Sequence, residues 1–254
     1  MSLRRLALAL SLVFTATFAL AQTDKRRSGY LDMGQSVQKM QDDDASNPAM
    51  LWVQEGEMLW GKKTGAANFA CADCHTSTEM NGVAVRYPAW SPPAGAAVSL
   101  ENRIQLCRIW HQKGDSLAHE SRELLALSAF VTRQSRGMRI APPDDRRLDE
   151  TVKTGETLFA RRQGQLNLSC AQCHDANAGQ KLAAVTIPQA HPTGYPIYRL
   201  EWQTLGSLKR RMRNCLIGVR AEPYPYSAPE YVALEAYLMK RAAGMKLESP
   251  GVRP

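Results

Sequence analysis

Aromatic side chains are scarce in this 254-residue chain, at 7% Phe, Trp and Tyr. Long apolar runs are almost absent too. Beyond residue 21 no stretch approaches the roughly 20 apolar residues that cross a bilayer, which excludes a polytopic membrane protein. Glycine (17) and proline (14) are too few for a collagen-like or low-complexity chain. No alternating apolar–polar pattern of useful length appears, which argues against a sheet protein. Acidic residues fall short of basic ones, 24 against 32, leaving a net charge of +8. That excess suits an anionic partner, whether nucleic acid, lipid or a small oxyanion. What is present, 22% charged and 44% apolar residues, is the balance of a chain that folds, with length for two ordinary domains.

The chain opens MSLRRLALALSLVFTATFALA. Arg4 and Arg5 form a positive n-region, Leu6 to Leu20 an apolar core, and Ala19-Leu20-Ala21 a small-x-small cleavage site. The apolar run is too short for a retained anchor, so export with cleavage near Ala21 is expected, and a bacterial periplasm fits. Cleavage removes two cations and no acid, taking the net charge from +8 to +6. In an oxidising compartment unoccupied cysteines pair. Six cysteines therefore allow three disulfides, but a histidine directly follows each of two Cys-x-x-Cys strings.

Those strings expose a duplication. Cys71-Ala-Asp-Cys74-His75 and Cys170-Ala-Gln-Cys173-His174 lie 99 residues apart. Gly56-Glu57-Met58-Leu59-Trp60 matches Gly155-Glu156-Thr157-Leu158-Phe159 at that same offset. Downstream, Ala126-Leu127-Ser128-Ala129-Phe130 resembles Ala233-Leu234-Glu235-Ala236-Tyr237 at an offset of 107. Two copies of one domain, over 49–145 and 146–254, follow a polar leader at 22–48; Pro142-Pro143 and the charged run Asp144–Arg147 mark the junction. Each copy reads as helical. Asp149 is the expected N-cap of the second copy's first helix. Middle helices are expected near 100–113 and 205–219. The last helix is expected to open on a Ser227-Ala-Pro-Glu230 capping box and to bury Tyr231, Leu234 and Leu238.

A Cys-x-x-Cys-His string attaches c-type haem: the thiols form thioethers and the histidine becomes the proximal iron ligand. Two intervening residues let both thiols reach one porphyrin edge, and the next side chain then lies beneath the ring. Cys71, Cys74, Cys170 and Cys173 are the expected attachment points, with His75 and His174 on iron. A thioredoxin-like pair needs a βαβ setting that is missing, and a four-cysteine zinc site leaves both histidines unexplained. Porphyrin also supplies the apolar volume that the few aromatics do not. The expected fold is all-α: two tandem cytochrome c domains, each built around a covalent haem c.

The sixth ligands bear on function. Met138 and Met245, 63 and 71 residues after their histidines, are the candidates for a plain electron carrier. The two remaining cysteines also fall one per copy: Cys107, 32 residues after His75, and Cys215, 41 after His174. They have three readings: a bridge between copies, buried thiols, or a thiolate ligand on each iron, which would lower the potential. Leu208, Met212, Cys215, Leu216 and Val219 form one helical stripe, so Cys215 faces inward, which favours ligation. Lys209, Arg210, Arg211 and Arg213 crowd just before it, and Arg211 shares its helix face. Cations there hold a thiol as thiolate and attract oxyanions. Copy one lacks this basic run. Nucleic acid is excluded, since no aromatics interleave with the cations.

At these residues the chain resembles SoxA, the dihaem cytochrome subunit of the SoxAX complex of bacterial sulfur oxidation. The similarity lies in Arg211–Tyr226, in Tyr231–Tyr237 and in both haem strings, and extends over most of the mature chain. It implies that Cys215 is the catalytic distal ligand of the second haem and carries a persulfide, with Arg211 contacting substrate. Cys107 would be the distal ligand of the first haem. The implied reaction joins thiosulfate to a cysteine of the carrier protein SoxYZ and passes two electrons to SoxX, a small monohaem cytochrome, an activity of the L-cysteine S-thiosulfotransferase type. The competing readings are a thiosulfate dehydrogenase forming tetrathionate and a dihaem electron carrier.

Overall fold

A computed structural model describes residues 24–254; the expected signal segment 1–21 lies outside them. The order of elements repeats once. Helices α1 (Gln35–Asp42) and α2 (Met50–Gly61) precede the first string, and α3 (Leu100–Cys107) runs into a π-helical turn at Arg108–Gln112. Helix α4 (Arg122–Arg133) completes the first copy. The second copy contains α5 (Asp149–Ala160), the short α6 (Cys170–His174), α7 (Leu208–Gly218) and α8 (Pro229–Arg241). Among the described residues, strands are two or three residues long: hairpins β1 (Ala89–Ser91) with β2 (Ala96–Val98) and β3 (Lys181–Leu182) with β4 (Val185–Thr186). Strands β5 (Ile197–Arg199), β6 (Thr204–Gly206) and β7 (Gly251–Arg253) form a sheet in the order β6-β5-β7, with β5 and β7 parallel.

In each copy the first helix packs on the last, α2 on α4 and α5 on α8. Glycine sets the closeness of both crossings: a Cβ on Gly56 would overlap the Ala126 carbonyl, and one on Gly155 the Ala233 carbonyl. The repeated Gly-x-x-Leu-aromatic block is thus a packing motif. Behind it lie Trp52, Trp60, Ala129 and Phe130 in the first copy and Leu158, Phe159, Leu234 and Leu238 in the second. Tyr231, Leu234 and Leu238 are 0%, 5% and 5% exposed, as their spacing predicts. The first core also takes Tyr198, Leu205 and Val252 from the far half of the chain. Helix α1 is fastened to that end: the buried Gln41 side chain accepts from the Val252 backbone at 2.9 Å.

Serine opens the middle helices, Ser99 Oγ accepting from Asn102 N at 3.2 Å and Ser207 Oγ from Arg210 N at 3.1 Å. Two expected caps are displaced. Asp149 is the first residue of α5, and the capping carboxylate is Asp145, which accepts from Arg147 N at 3.0 Å to open a 3-10 turn over Arg146–Leu148. Ser227 stands one residue too early, because Ala228 occupies the cap of α8 with no side-chain bond. Pro229 in the first turn has no N–H to satisfy, which lessens the need for a cap.

Candidate functional site

The second string is itself a helix. Ser169 and Gln172 close a reciprocal capping box, Gln172 N donating to Ser169 Oγ at 3.2 Å and Ser169 N to Gln172 Oε1 at 2.9 Å. One helical turn places Cys170 and His174, four residues apart, on a common face. His174 Nδ1 donates to the Pro188 carbonyl at 2.7 Å, leaving Nε2 as the free, ligand-competent nitrogen. Burial holds the imidazole below its usual range, and the nearby Arg211 charge adds to this, so the ring stays neutral as an iron ligand requires. Around it Cys170, Ala190, Leu208, Met212 and Tyr237 pack against the Leu158–Phe159 core. This apolar lining, beside two free thiols and an oriented imidazole, fits a covalent haem.

Cys215 lies on α7 close to the string. Burial pushes the Cys170 thiol up to about 11, and the proximity of Cys215 contributes. All six cysteines are free, so no bridge joins Cys107 to Cys215. Burial opposes the charge on Arg211 while Cys215 and Tyr195 favour it, and the balance raises its pKa. The other three cations of the run turn elsewhere. Arg210 lies on the Trp202 ring at 4.3 Å. Arg213 lies over Tyr226 at 4.4 Å and donates to the Tyr224 carbonyl. Lys209, 2% exposed, faces the other copy. Of the four, Arg211 is the one coupled to the thiol.

A second arginine joins it that the sequence reading missed. Arg199 on β5 is 7% exposed, 2.8 Å from Glu201 Oε1, and lies over Trp202 at 5.3 Å. Burial disfavours its charge first and the neighbouring Arg211 second. Its counterpart 108 residues earlier is Ser91, buried and uncharged. That substitution within the repeat was the available signal, but a lone arginine in a short strand draws no attention by itself.

Copy one is less bare than expected. Arg103 stands four residues before Cys107, as Arg211 does before Cys215, and burial raises the Cys107 thiol while Arg103 opposes the rise. Cys71 is raised by burial and then by Cys107, and receives a 3.7 Å hydrogen bond from Gln112 Nε2. His75 lies 6.2 Å from the Trp60 ring, much as His174 lies 6.5 Å from Phe159. Cys71, Cys74, His75 and Cys107 thus take positions corresponding to the second set, but the first string is a 3-10 turn with Cys74 and His75 exposed, and Arg199 has no counterpart. Met138 is 42% exposed, and Met245 packs near Ile140 and Leu247. Their segments pair with each other, Leu247 N donating to Met138 O at 2.9 Å and Ile140 N to Met245 O at 2.8 Å. This favours the cysteines over the methionines as sixth ligands.

Known proteins resemble this chain over most of its length. The family described as SoxA/TsdA, cytochrome c domain, matches twice, at residues 55–140 and 154–247. The chain is 32% identical over 232 residues to the L-cysteine S-thiosulfotransferase subunit SoxA of Rhodovulum sulfidophilum, covering 91% of this chain and 81% of that protein. The corresponding subunit of Allochromatium vinosum is 34% identical over 208 residues, covering 79% of this chain and 72% of its own. The crystal structure of SoxXA from P. pantotrophus superposes with a TM-score of 0.87 at 28% identity, covering 90% of this chain and 87% of that one. With two matched segments and relatives similar over most of their length, the chain belongs to the SoxA/TsdA cytochrome c family and is built from two tandem cytochrome c domains.

Proposed function

We propose that the protein is a dihaem c-type cytochrome that conjugates thiosulfate to a cysteine of a SoxYZ-type carrier protein, working with a SoxX-type monohaem partner in the periplasm. Support comes from the thiosulfotransferase subunits it resembles and from one observation in particular: Arg211, raised by Cys215, lies on the helix face that looks toward the second string. Haem would be held covalently by Cys71 and Cys74 in residues 49–145 and by Cys170 and Cys173 in residues 146–254. His75 and Cys107, and His174 and Cys215, would be the axial ligands. When bound, the two haems supply one-electron acceptors for a two-electron oxidation.

Arg211, together with Arg199 in its ion pair to Glu201, presents guanidinium donors and net positive charge to an oxyanion, which neutral solutes cannot exploit. They orient its outer sulfur toward Cys215. Bond formation between the Cys215 thiolate and that sulfur gives a Cys215 S-thiosulfonate and releases two electrons. The carrier's thiolate then attacks the outer sulfur, takes the thiosulfonate, and returns Cys215 as thiolate. Overall, thiosulfate and a carrier thiol yield the carrier S-thiosulfonate, one proton and two electrons. A persulfide on Cys215 would lengthen the sulfur arm without altering this balance.

The test is turnover of the purified holoprotein with its partner cytochrome, thiosulfate and the carrier, read as mass gain on the carrier. Cys215→Ala is expected to retain both haems and abolish the gain. Tetrathionate formed without carrier would instead establish a thiosulfate dehydrogenase.

A further inference from the structure

The two copies meet around a cavity of about 60 Å³ whose largely apolar wall carries a few ionisable and hydroxyl groups and is lined on both sides by repeat-equivalent residues. Tyr87 faces it from the first copy and Tyr195 from the second, 108 residues apart. Glu101 on α3 occupies the same repeat position as Lys209 on α7, and here the pair has diverged into opposite charges 3.8 Å apart. Ser128 on α4 corresponds to Glu235 on α8, and both line the cavity. Lys209 Nζ, 3% exposed, also donates to Asn102 Oδ1 at 3.1 Å. Ser128, 2% exposed, has an Oγ with no protein partner. A volume of this size admits a few water molecules, and Ser128, Lys209 and the carboxylates provide partners for them.

Two carboxylates and one ammonium at a buried boundary carry a net negative charge when all are ionised. Burial disfavours that state, and one added proton makes the group neutral. Burial pushes Glu101 and Glu235 each up to about 7, with Lys209 opposing at both; Glu120 reinforces the rise at Glu101, and Glu101 reinforces it at Glu235. Glu120 faces Glu101 as a further acid and accepts from Ser207 Oγ. His119 is held below its usual range by burial and then by Lys209, so it adds no cation.

We propose that this cavity is a proton-binding site in which Glu101 and Glu235 carry one proton between them near neutral pH and take up more when the haems are reduced. The reading rests on haem in both copies. Glu101 and Cys107 are six residues apart on α3, as are Lys209 and Cys215 on α7, roughly 9 Å along each axis. Tyr195 closes the link, lining the cavity while coupled to Arg211 and Cys215. An electron placed roughly 12 Å away changes the affinity of such a group for a proton about tenfold. The electron comes from the substrate or a chemical reductant, and the proton from bulk water; reoxidation releases it.

Spectroelectrochemical titration of the holoprotein with its partner, repeated at pH values either side of 7, tests this. Each haem potential of the wild type is expected to fall as pH rises through about 7, by up to about 59 mV. Glu101→Gln and Glu235→Gln are each expected to flatten the curve, because the remaining carboxylate forms a neutral pair with Lys209. A flat wild-type curve overturns the proposal. So does full pH dependence in both variants, which would place the proton on haem propionates. Should the variants misfold, redox-difference infrared spectra of the wild type decide: a carboxylic C=O band that grows on reduction is expected, and its absence overturns the site. Haem content measured on the same samples separates failure of the haem assignment from failure of the proton site.

Discussion

Arg199→Gln isolates what the second copy has and the first does not. The substitution keeps a planar polar group of similar reach but removes a buried charge that lies beside Arg211 and over Trp202. A hydrogen bond to a charged group contributes about 1.5–3 kcal/mol. At about 1.36 kcal/mol per tenfold, loss of one such contact weakens thiosulfate binding roughly 10- to 150-fold. Folding stability should change little or rise, because burial and Arg211 both disfavour this charge in the native state. The assay is steady-state conjugation with thiosulfate varied at saturating carrier: KM is expected to rise by that factor with the haem spectrum and Tm unchanged. An unchanged KM would remove Arg199 from the site. Loss of haem with normal KM in the surviving fraction would assign it a structural role.

Three further predictions rest on separate features. Gly155→Ala drives a methyl into the Ala233 carbonyl and Tyr237 Cβ where α5 crosses α8, so overpacking of about 1–3 kcal/mol should lower the melting temperature in calorimetry. Arg103→Gln, beside Cys107, should shift the spectrum or potential of the first haem while leaving the thiosulfate KM unchanged, as measured by redox titration and turnover. The folded pKa values of Glu101 and Glu235 stand above the ordinary 4.5, so their contribution to stability is complete below 4.5 and lost as pH rises through about 7. Chemical denaturation at pH 5.5 and 8.5, roughly either side of the folded value near 7, should show a lower midpoint at the higher pH, and Glu235→Gln should narrow the gap.

Much of this was legible from residues alone because covalent and helical constraints are local. Two thiols and an imidazole in five consecutive residues have one common use, and a separation of four on a helix places Arg211 and Cys215 together whatever the rest of the chain does. The destinations of Lys209, Arg210 and Arg213 were hidden for the opposite reason: long side chains on one helix are sorted by partners from elsewhere, here Glu101, Trp202 and Tyr226. Arg199 was missed because its neighbours in space are remote in sequence. The caps at Asp149 and Ser227 failed by a few residues, the scale on which a preceding 3-10 turn or a proline resets a helix start. Short strands β5–β7 carry too few residues for an alternating pattern to register.

Peptide mapping by mass spectrometry after incubation of the oxidised protein with thiosulfate reads the sulfur chemistry at its source. A thiosulfonate or persulfide on Cys215, with Cys107 unmodified and the attachment cysteines 71, 74, 170 and 173 bearing haem, is the predicted result. A disulfide joining Cys215 to Cys107, or sulfur added to Cys107 instead, would contradict it.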